Sequence, residues 1–170
     1  HVLILVPEIS LTPQMVERVQ TRFGDKVAIY HSALNDQEKY EQFKRVDDNE
    51  VAVVVGTRSA AFMPFHQLGL IVMDEEHDHS YKQEKTPSYH CRDIVINRAK
   101  YHDCKVVLGS ATPALESYAR AQKDVYHLIE LPQRINKQPL PTCRIIDVKT
   151  YLRKGMKDIL MPPLKEAISD

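Results

Sequence analysis

Short apolar runs recur along this chain, at Val2–Val6, Val27–Tyr30, Val51–Val55, Leu70–Met73 and Lys105–Leu108. Unbroken runs of this length read as strands buried on both faces, the kind that parallel sheets use. The segments between them carry helical spacing. Thr12 predicts an N-cap with Pro13 at the first helical position; Met15, Val16, Val19 and Phe23 recur on one face, and Gly24 suits the stop. Asn35 and Glu38 form a capping-box signature, opening a helix to about Asp48 with Tyr40 and Phe43 facing inward. Ala60–Leu68 is apolar but broken by Pro64, which predicts a loop or a single helical turn. Asp78–His90 is polar and aromatic without period, and a helix follows over Arg92–Tyr101. Thr112 and Pro113 repeat the cap-and-first-position pattern, with Leu115, Tyr118 and Ala119 as the apolar face of the next helix. Val125–Leu131 and Cys143–Val148 are further strand candidates, separated by the segment PQRINKQPLP. Tyr151–Asp170 reads as a basic linker, a Pro162-Pro163 pair and the first turns of a helix. Strands alternating with helices of about ten residues predict an α/β fold with a parallel sheet flanked by helices.

Composition changes this picture little. The 170 residues suffice for one domain with a core and the beginning of a second. Hydrophobic residues make up 43% and charged residues 27%, an ordinary globular balance. Lys+Arg and Asp+Glu both number 23, so any surface for an anionic partner must be a local patch. Cys91, Cys104 and Cys143 are widely spaced with no CxxC, which predicts thiols in a reducing compartment and neither a disulfide framework nor a zinc site. No apolar run approaches the roughly 18 residues needed to span a bilayer, and there is no secretory signal. The chain opens at His1 inside a strand and without an initiator Met, as expected of a fragment.

Candidate chemistry sits where strands end. Leu70–Met73 runs straight into Asp74, Glu75, Glu76 and His77; Val51–Val55 runs into GTRSA at 56–60; Lys105–Leu108 runs into GSATP at 109–113. In a parallel sheet these tips emerge along one edge, where ligands of open α/β sheets sit. Two or three carboxylates there suit a hydrated divalent cation. Taken singly, each tip also has an ordinary structural explanation, as an acidic turn, a Gly-hydroxyl turn or a helix start.

Together with VPEISLTPQ, YHSALND and YHCRD, these tips resemble the ATPase motor lobe of a superfamily 2 DExH helicase. In wording they are similar to the family of bacterial primosomal replication-restart DNA helicases, from about Val2 to Leu131. The resemblance implies a RecA-like lobe of the P-loop NTPase class, with residues 1–149 a partial ATP-binding lobe and 150–170 a linker and the start of a second lobe. By the same resemblance Asp74 would hold Mg²⁺ through water, Glu75 would position the attacking water, and His77 would relay nucleotide state to Ser110 and Thr112. Pro7, Thr57, Arg58 and Ser59 would meet the single-stranded DNA backbone, a role for which amides, hydroxyls and a long cation are suited. Tyr81, Lys82, Tyr89, His90 and Arg92 would form an aromatic and basic loop against unpaired bases. Glu8 would orient a loop, Glu76 would be structural or solvent-facing, and His31-Ser32 is a family-like element of no derived role.

ATP and Mg²⁺ are the implied cofactors. No GxxxxGK[ST] phosphate loop occurs in the chain; the resemblance places it before the first strand. The second lobe with its arginine finger and the family's zinc-binding cysteines are likewise missing, so zinc is expected only in the full-length protein. That protein is implied to be an ATP-dependent 3′-to-5′ helicase at stalled forks, in the bacterial cytoplasm at the nucleoid. Its implied partners are single-stranded and forked DNA, single-stranded DNA-binding protein and primosome proteins, with no membrane. The chain alone is expected to be catalytically silent. Two other readings remain open: a metal-dependent hydrolase using Asp74, Glu75, His77 and His79, and a non-enzymatic module binding DNA or a partner.

Overall fold

A computed structural model describes residues 1–133, 142–155 and 157–169. The chain divides into two compact units, His1–Leu128 and Ile129–Asp170. This division falls between 128 and 129, whereas the functional boundary expected above lies at 149.

The first unit is built on a parallel five-stranded sheet: β1 (Val2–Leu5), β2 (Val27–Tyr30), β3 (Val53–Gly56), β4 (Leu70–Met73) and, later in the chain, β7 (Lys105–Leu108), in the spatial order β2-β3-β1-β4-β7. The helices are α1 (Pro13–Phe23), α2 (Asp36–Asp47), α3 (Cys91–His102) and α4 (Leu115–Gln122). Between β4 and α3 a small antiparallel pair forms, β5 (Lys82–Gln83) with β6 (Tyr89–His90), in the stretch for which the sequence showed no period.

Side chains alternate across the sheet as its period of two demands. Leu3, Leu5, Val54, Ile71 and Met73 point to one face, where they pack with Val46 of α2, Val95 of α3, and the wholly buried Tyr81 and Cys91. Val27, Val53 and Val55 point to the other, beneath Met15 and Val19 of α1. Burying each such side chain stabilises the fold by about 1.5–3 kcal/mol. On the second face Val107 of β7 stays 49% exposed. Among the described residues no helix is long and apolar enough to cross a membrane.

Local signals are met where their partners lie nearby in sequence. Thr12 accepts the Met15 amide at 3.3 Å, and Gly24 ends α1 at φ 56°. Asn35 and Glu38 close a full capping box at 2.9 and 2.8 Å. Apolar faces are met less well. Tyr40 and Phe43 are exposed, and α2 turns Val46 inward instead. Leu115, Tyr118 and Ala119 are exposed too, and α4 buries Ser117. Thr112 does not cap α4: the helix begins at Leu115 after Ala114, which offers no side-chain cap. The apolar stretch after β3 folds as a 3₁₀ turn over Arg58–Phe62.

The described residues of Val125–Leu131 and Cys143–Val148 form no strand. The second unit instead contains α5 (Val148–Leu152), capped by Asp147 on the Lys149 amide at 2.9 Å, and α6 (Pro162–Ser169). Residues 134–141 of the PQRINKQPLP segment lie outside the described residues. Cys91 and Cys104 are thiols, the first wholly buried.

Candidate nucleotide-coupling site

The five strands end level, with Tyr30 of β2 opposite Gly56. Leu5 pairs with Gly56 and Met73, and Met73 pairs with Leu108, so the residues that follow leave the sheet at one height. Gly56 is required where β3 ends, since a Cβ there would lie 2.2 Å from the Tyr30 carbonyl oxygen and 2.6 Å from the Ala60 Cβ.

Beyond β4 the chain turns at Glu75, whose φ of 44° is in the left-handed region that non-glycine residues rarely adopt. The turn separates four neighbouring side chains. Asp74 and His77 are exposed, Glu75 is half-buried and Glu76 is 1% exposed. Asp74 Oδ1 accepts the Glu75 amide at 3.0 Å, and Tyr81 Oη donates to the Asp74 carbonyl at 2.7 Å. His77 lies against the β7 tip, with Nδ1 2.7 Å from Ser110 Oγ and Nε2 3.3 Å from Thr112 Oγ1. Glu75 Oε2 is 3.5 Å from the same Nδ1. Asp74, Glu75, His77, Ser110 and Thr112 thus come together as one cluster. Asp74 and Glu75 offer oxygen donors at a strand tip, a donor set that fits a hydrated Mg²⁺ held through water.

Among the described residues no three His, Cys, Asp or Glu converge to hold an ion directly. The four-ligand arrangement of Asp74, Glu75, His77 and His79 is therefore not formed.

The residues assigned to DNA divide into an outer and an inner set. Lys82 is exposed beside Glu84 at 3.7 Å. Tyr89 is half-buried, edge-on to Phe62 at 5.5 Å. Ser59 carries a buried Oγ that finds no partner among the described residues. Pro7 and Thr57 are buried at the tips of β1 and β3. Arg58 turns back along its own fold, donating to the carbonyls of Ser80 at 3.0 Å and Lys82 at 2.5 Å. These bonds flank Tyr81, whose ring is wholly buried and presents no face to a base. Burial also raises the Tyr81 hydroxyl well above its usual value, so it stays a donor.

Arg92 is buried as well, in a junction the sequence did not disclose. Its Nη1 lies 3.0 Å from Glu76 Oε2 and 2.8 Å from Ser117 Oγ. Burial by itself would raise the Glu76 carboxyl, but the Ala114 amide, the Ser117 hydroxyl and the Arg92 guanidinium together hold it below the usual carboxylate value. His90 Nδ1 caps α3 by accepting the Arg92 amide at 3.2 Å. Burial first, and the Arg92 charge second, lower the His90 imidazole so that it remains neutral. At the β1 tip Ser32 donates to Glu8 at 3.1 Å, tying the β1 and β2 loops together. His31 is half-buried, its carbonyl accepting the Leu34 amide. Nothing in the sequence marked the inner set, since Tyr81 and Arg92 stand among polar neighbours such as Ser80, Lys82 and Asp93 that suit a surface equally well.

A concave surface of about 760 Å³ is lined by Arg58, His79, Ser80, Lys82, Gln83, Glu84 and Lys85.

Comparison with known proteins bears on the family. Residues 1–121 match the family model of the DEAD/DEAH box helicases. The replication restart protein PriA of Bacillus subtilis is 51% identical over 168 residues, covering 99% of this chain and 21% of that protein. The PriA of Synechocystis is 46% identical over 174 residues, covering 99% and 21%. That of Haemophilus influenzae is 40% identical over 166 residues, covering 97% and 23%. The chain therefore spans about a fifth of the length of these relatives.

Proposed function

Because this chain belongs to the DEAD/DEAH box helicase family, we propose that it is the catalytic edge of an ATP-driven DNA helicase that restarts replication at stalled forks. The observation that carries the reading is the His77 bridge, 2.7 and 3.3 Å from two hydroxyls on a neighbouring strand tip. It ties the acidic tip of β4 to the Ser110–Thr112 loop, so a change at either is felt at the other.

In this reading Glu75 orients the water that attacks the terminal phosphate. Asp74 holds Mg²⁺ through water, and the ion supplies charge neutralisation on the phosphates. The Tyr81 hydroxyl fixes the Asp74 backbone, and Ser110 and Thr112 fix the His77 ring. The concave surface near Arg58 carries the exposed Lys82 and Lys85. Cations there suit the single-strand backbone, with Tyr89 at its margin to stack on a base. Arg58, Tyr81 and Arg92 serve this interface from within, by holding its loop. Fork DNA, single-stranded DNA-binding protein and primosome proteins are the partners of the whole protein, working in the bacterial cytoplasm. ATP affinity rests on a phosphate-binding loop outside these 170 residues, so the chain alone is silent.

Two measurements test this. Glu75→Gln, placed at the aligned position of the full-length Bacillus subtilis relative, lowers DNA-stimulated ATP hydrolysis by about 100-fold or more. The 170-residue chain is expected to show no DNA-stimulated hydrolysis at all. Full activity of the Gln variant sinks the assignment of Glu75, and turnover by the isolated chain sinks its silence.

A further inference from the structure

Glu76 touches the Gly109–Ala114 loop at both ends. Its amide donates to the Gly109 carbonyl at 3.0 Å, and its Oε1 accepts the Ala114 amide at 2.7 Å. The same carboxylate takes the Ser117 hydroxyl at 2.9 Å and Arg92 at 3.0 Å on Oε2. Between those two ends lie Ser110 and Thr112, the groups that His77, the next residue along, meets. From these contacts we propose that Glu76 is a positioning residue: it clamps the loop at both ends and thereby sets where His77 meets Ser110 and Thr112, with Arg92 holding the clamp shut. The proposal deepens the helicase reading and rests on it for its catalytic meaning.

Three features support this assignment. First, α4 has no cap of its own, since Ala114 carries no acceptor. The missing acceptor comes from the β4 tip, so the start of α4 is registered to the residue beside His77. Second, among the described residues the loop has one internal bond to hold its shape, from the Thr112 amide to Ser110 Oγ at 3.0 Å. Its span is fixed from outside.

Third, the junction is poorly explained as a device for stability. Arg92 Nε is buried with no partner among the described residues, and an unmet buried donor destabilises a fold. A well-packed apolar pair in place of a buried ion pair is often as stable or more so. What such a pair lacks is an acceptor for the Ala114 amide: any residue at this position keeps the backbone bond to Gly109, but the carboxylate is what holds the Ala114 end of the loop.

The test uses Glu76→Gln and Ser117→Ala. Gln keeps the size and one acceptor but loses the charge that holds Arg92; Ala removes a single hydroxyl and serves if the first variant does not fold. On the 170-residue chain, NMR contacts from the His77 ring to Ser110 and Thr112 are expected to vanish or average. The amide shifts of β1, β3 and β4 stay as they were. Ring contacts unchanged in a folded variant overturn the clamp.

In the full-length Bacillus subtilis relative, the same substitutions at the aligned positions lower DNA-stimulated kcat by about 10-fold, with KM for ATP and the basal rate unchanged. A uniform fall in basal and stimulated rates, as from lost folding, overturns it as well. Absence of DNA-stimulated hydrolysis in the unsubstituted relative would count against the helicase reading instead. The clamp itself is then still decided by the ring contacts.

Discussion

Replacing Arg92 by methionine strikes the buried junction where its energetics are largest. The Glu76 side chain is 1% exposed and that of Arg92 10%, and the change removes the cation 3.0 Å from Oε2 while keeping a long apolar stem. Glu76 then has two routes. It stays charged in the interior with the Ala114 amide and the Ser117 hydroxyl for company, at a cost of about 3–5 kcal/mol. Alternatively it takes up a proton. From the ordinary value of 4.5, at about 1.36 kcal/mol per pH unit, that costs about 3.4 kcal/mol at pH 7 and about 0.7 kcal/mol at pH 5.

The cheaper route sets the result, so Arg92→Met destabilises by about 3 kcal/mol at pH 7 and by about 1 kcal/mol at pH 5. The sign is opposite in the parent chain. There the Glu76 carboxyl lies below 4.5, so its contribution is present above that pH and is lost as the pH falls through the folded value. In the variant the folded value lies above 4.5, and stability is lost as the pH rises. Urea unfolding of both chains, followed by circular dichroism at the two pH values, gives the numbers. A loss below about 1 kcal/mol at pH 7, or one equal at both pH values, refutes the reasoning.

Other consequences follow from single contacts. Tyr81→Phe removes only the bond to the Asp74 carbonyl and costs about 1 kcal/mol, whereas Tyr81→Ala opens a cavity in the core and costs about 4 kcal/mol; urea midpoints separate the two. Gly56→Ala drives a Cβ to 2.2 Å from the Tyr30 oxygen and costs about 3 kcal/mol, seen as a lower thermal midpoint. His90 contributes stability as a neutral cap. That contribution is complete above 6.5 and is lost as the pH falls through its lowered folded value, although Asp93, Glu76 and Glu116 pull the other way. An NMR titration of His90 with a midpoint at or above 6.5 contradicts this.

The strands, the capping box and the shared edge of GTRSA, DEEH and GSATP were legible because each rests on short-range chemistry. An apolar run of four residues buries itself wherever it lies in the sheet, and Asn35 finds Glu38 three residues away. That Asp74–His77 and Ser110–Thr112 leave the sheet along one edge was legible for the same reason, whereas the meeting of His77 with Ser110 and Thr112 was expected only from the family resemblance. The roles of Tyr81 and Arg92 were hidden. An aromatic ring and a guanidinium among polar residues suit a wet surface and a satisfied interior equally, and only the distant partners Asp74, Glu76 and Ser117 decide between them. Helix faces misled in the converse way. Tyr40, Phe43, Leu115 and Tyr118 fall at helical spacing but are exposed, while Ser117 is buried because a carboxylate waits for it.

The level ending of the strands bears on which changes of length this fold can absorb. Leu5, Gly56, Met73 and Leu108 lie in one register row. Deleting a single residue within β4 would draw Asp74 back by about 3.3 Å and turn its side chain to the opposite face. The Tyr81 and His77 contacts would both be lost. The same deletion between Glu84 and Ser88, on the exposed return of the hairpin, touches none of these contacts. Insertions and deletions in this lobe therefore belong to its return loops, and the strands work as fixed-length spacers that bring separate pieces of chemistry to a common line.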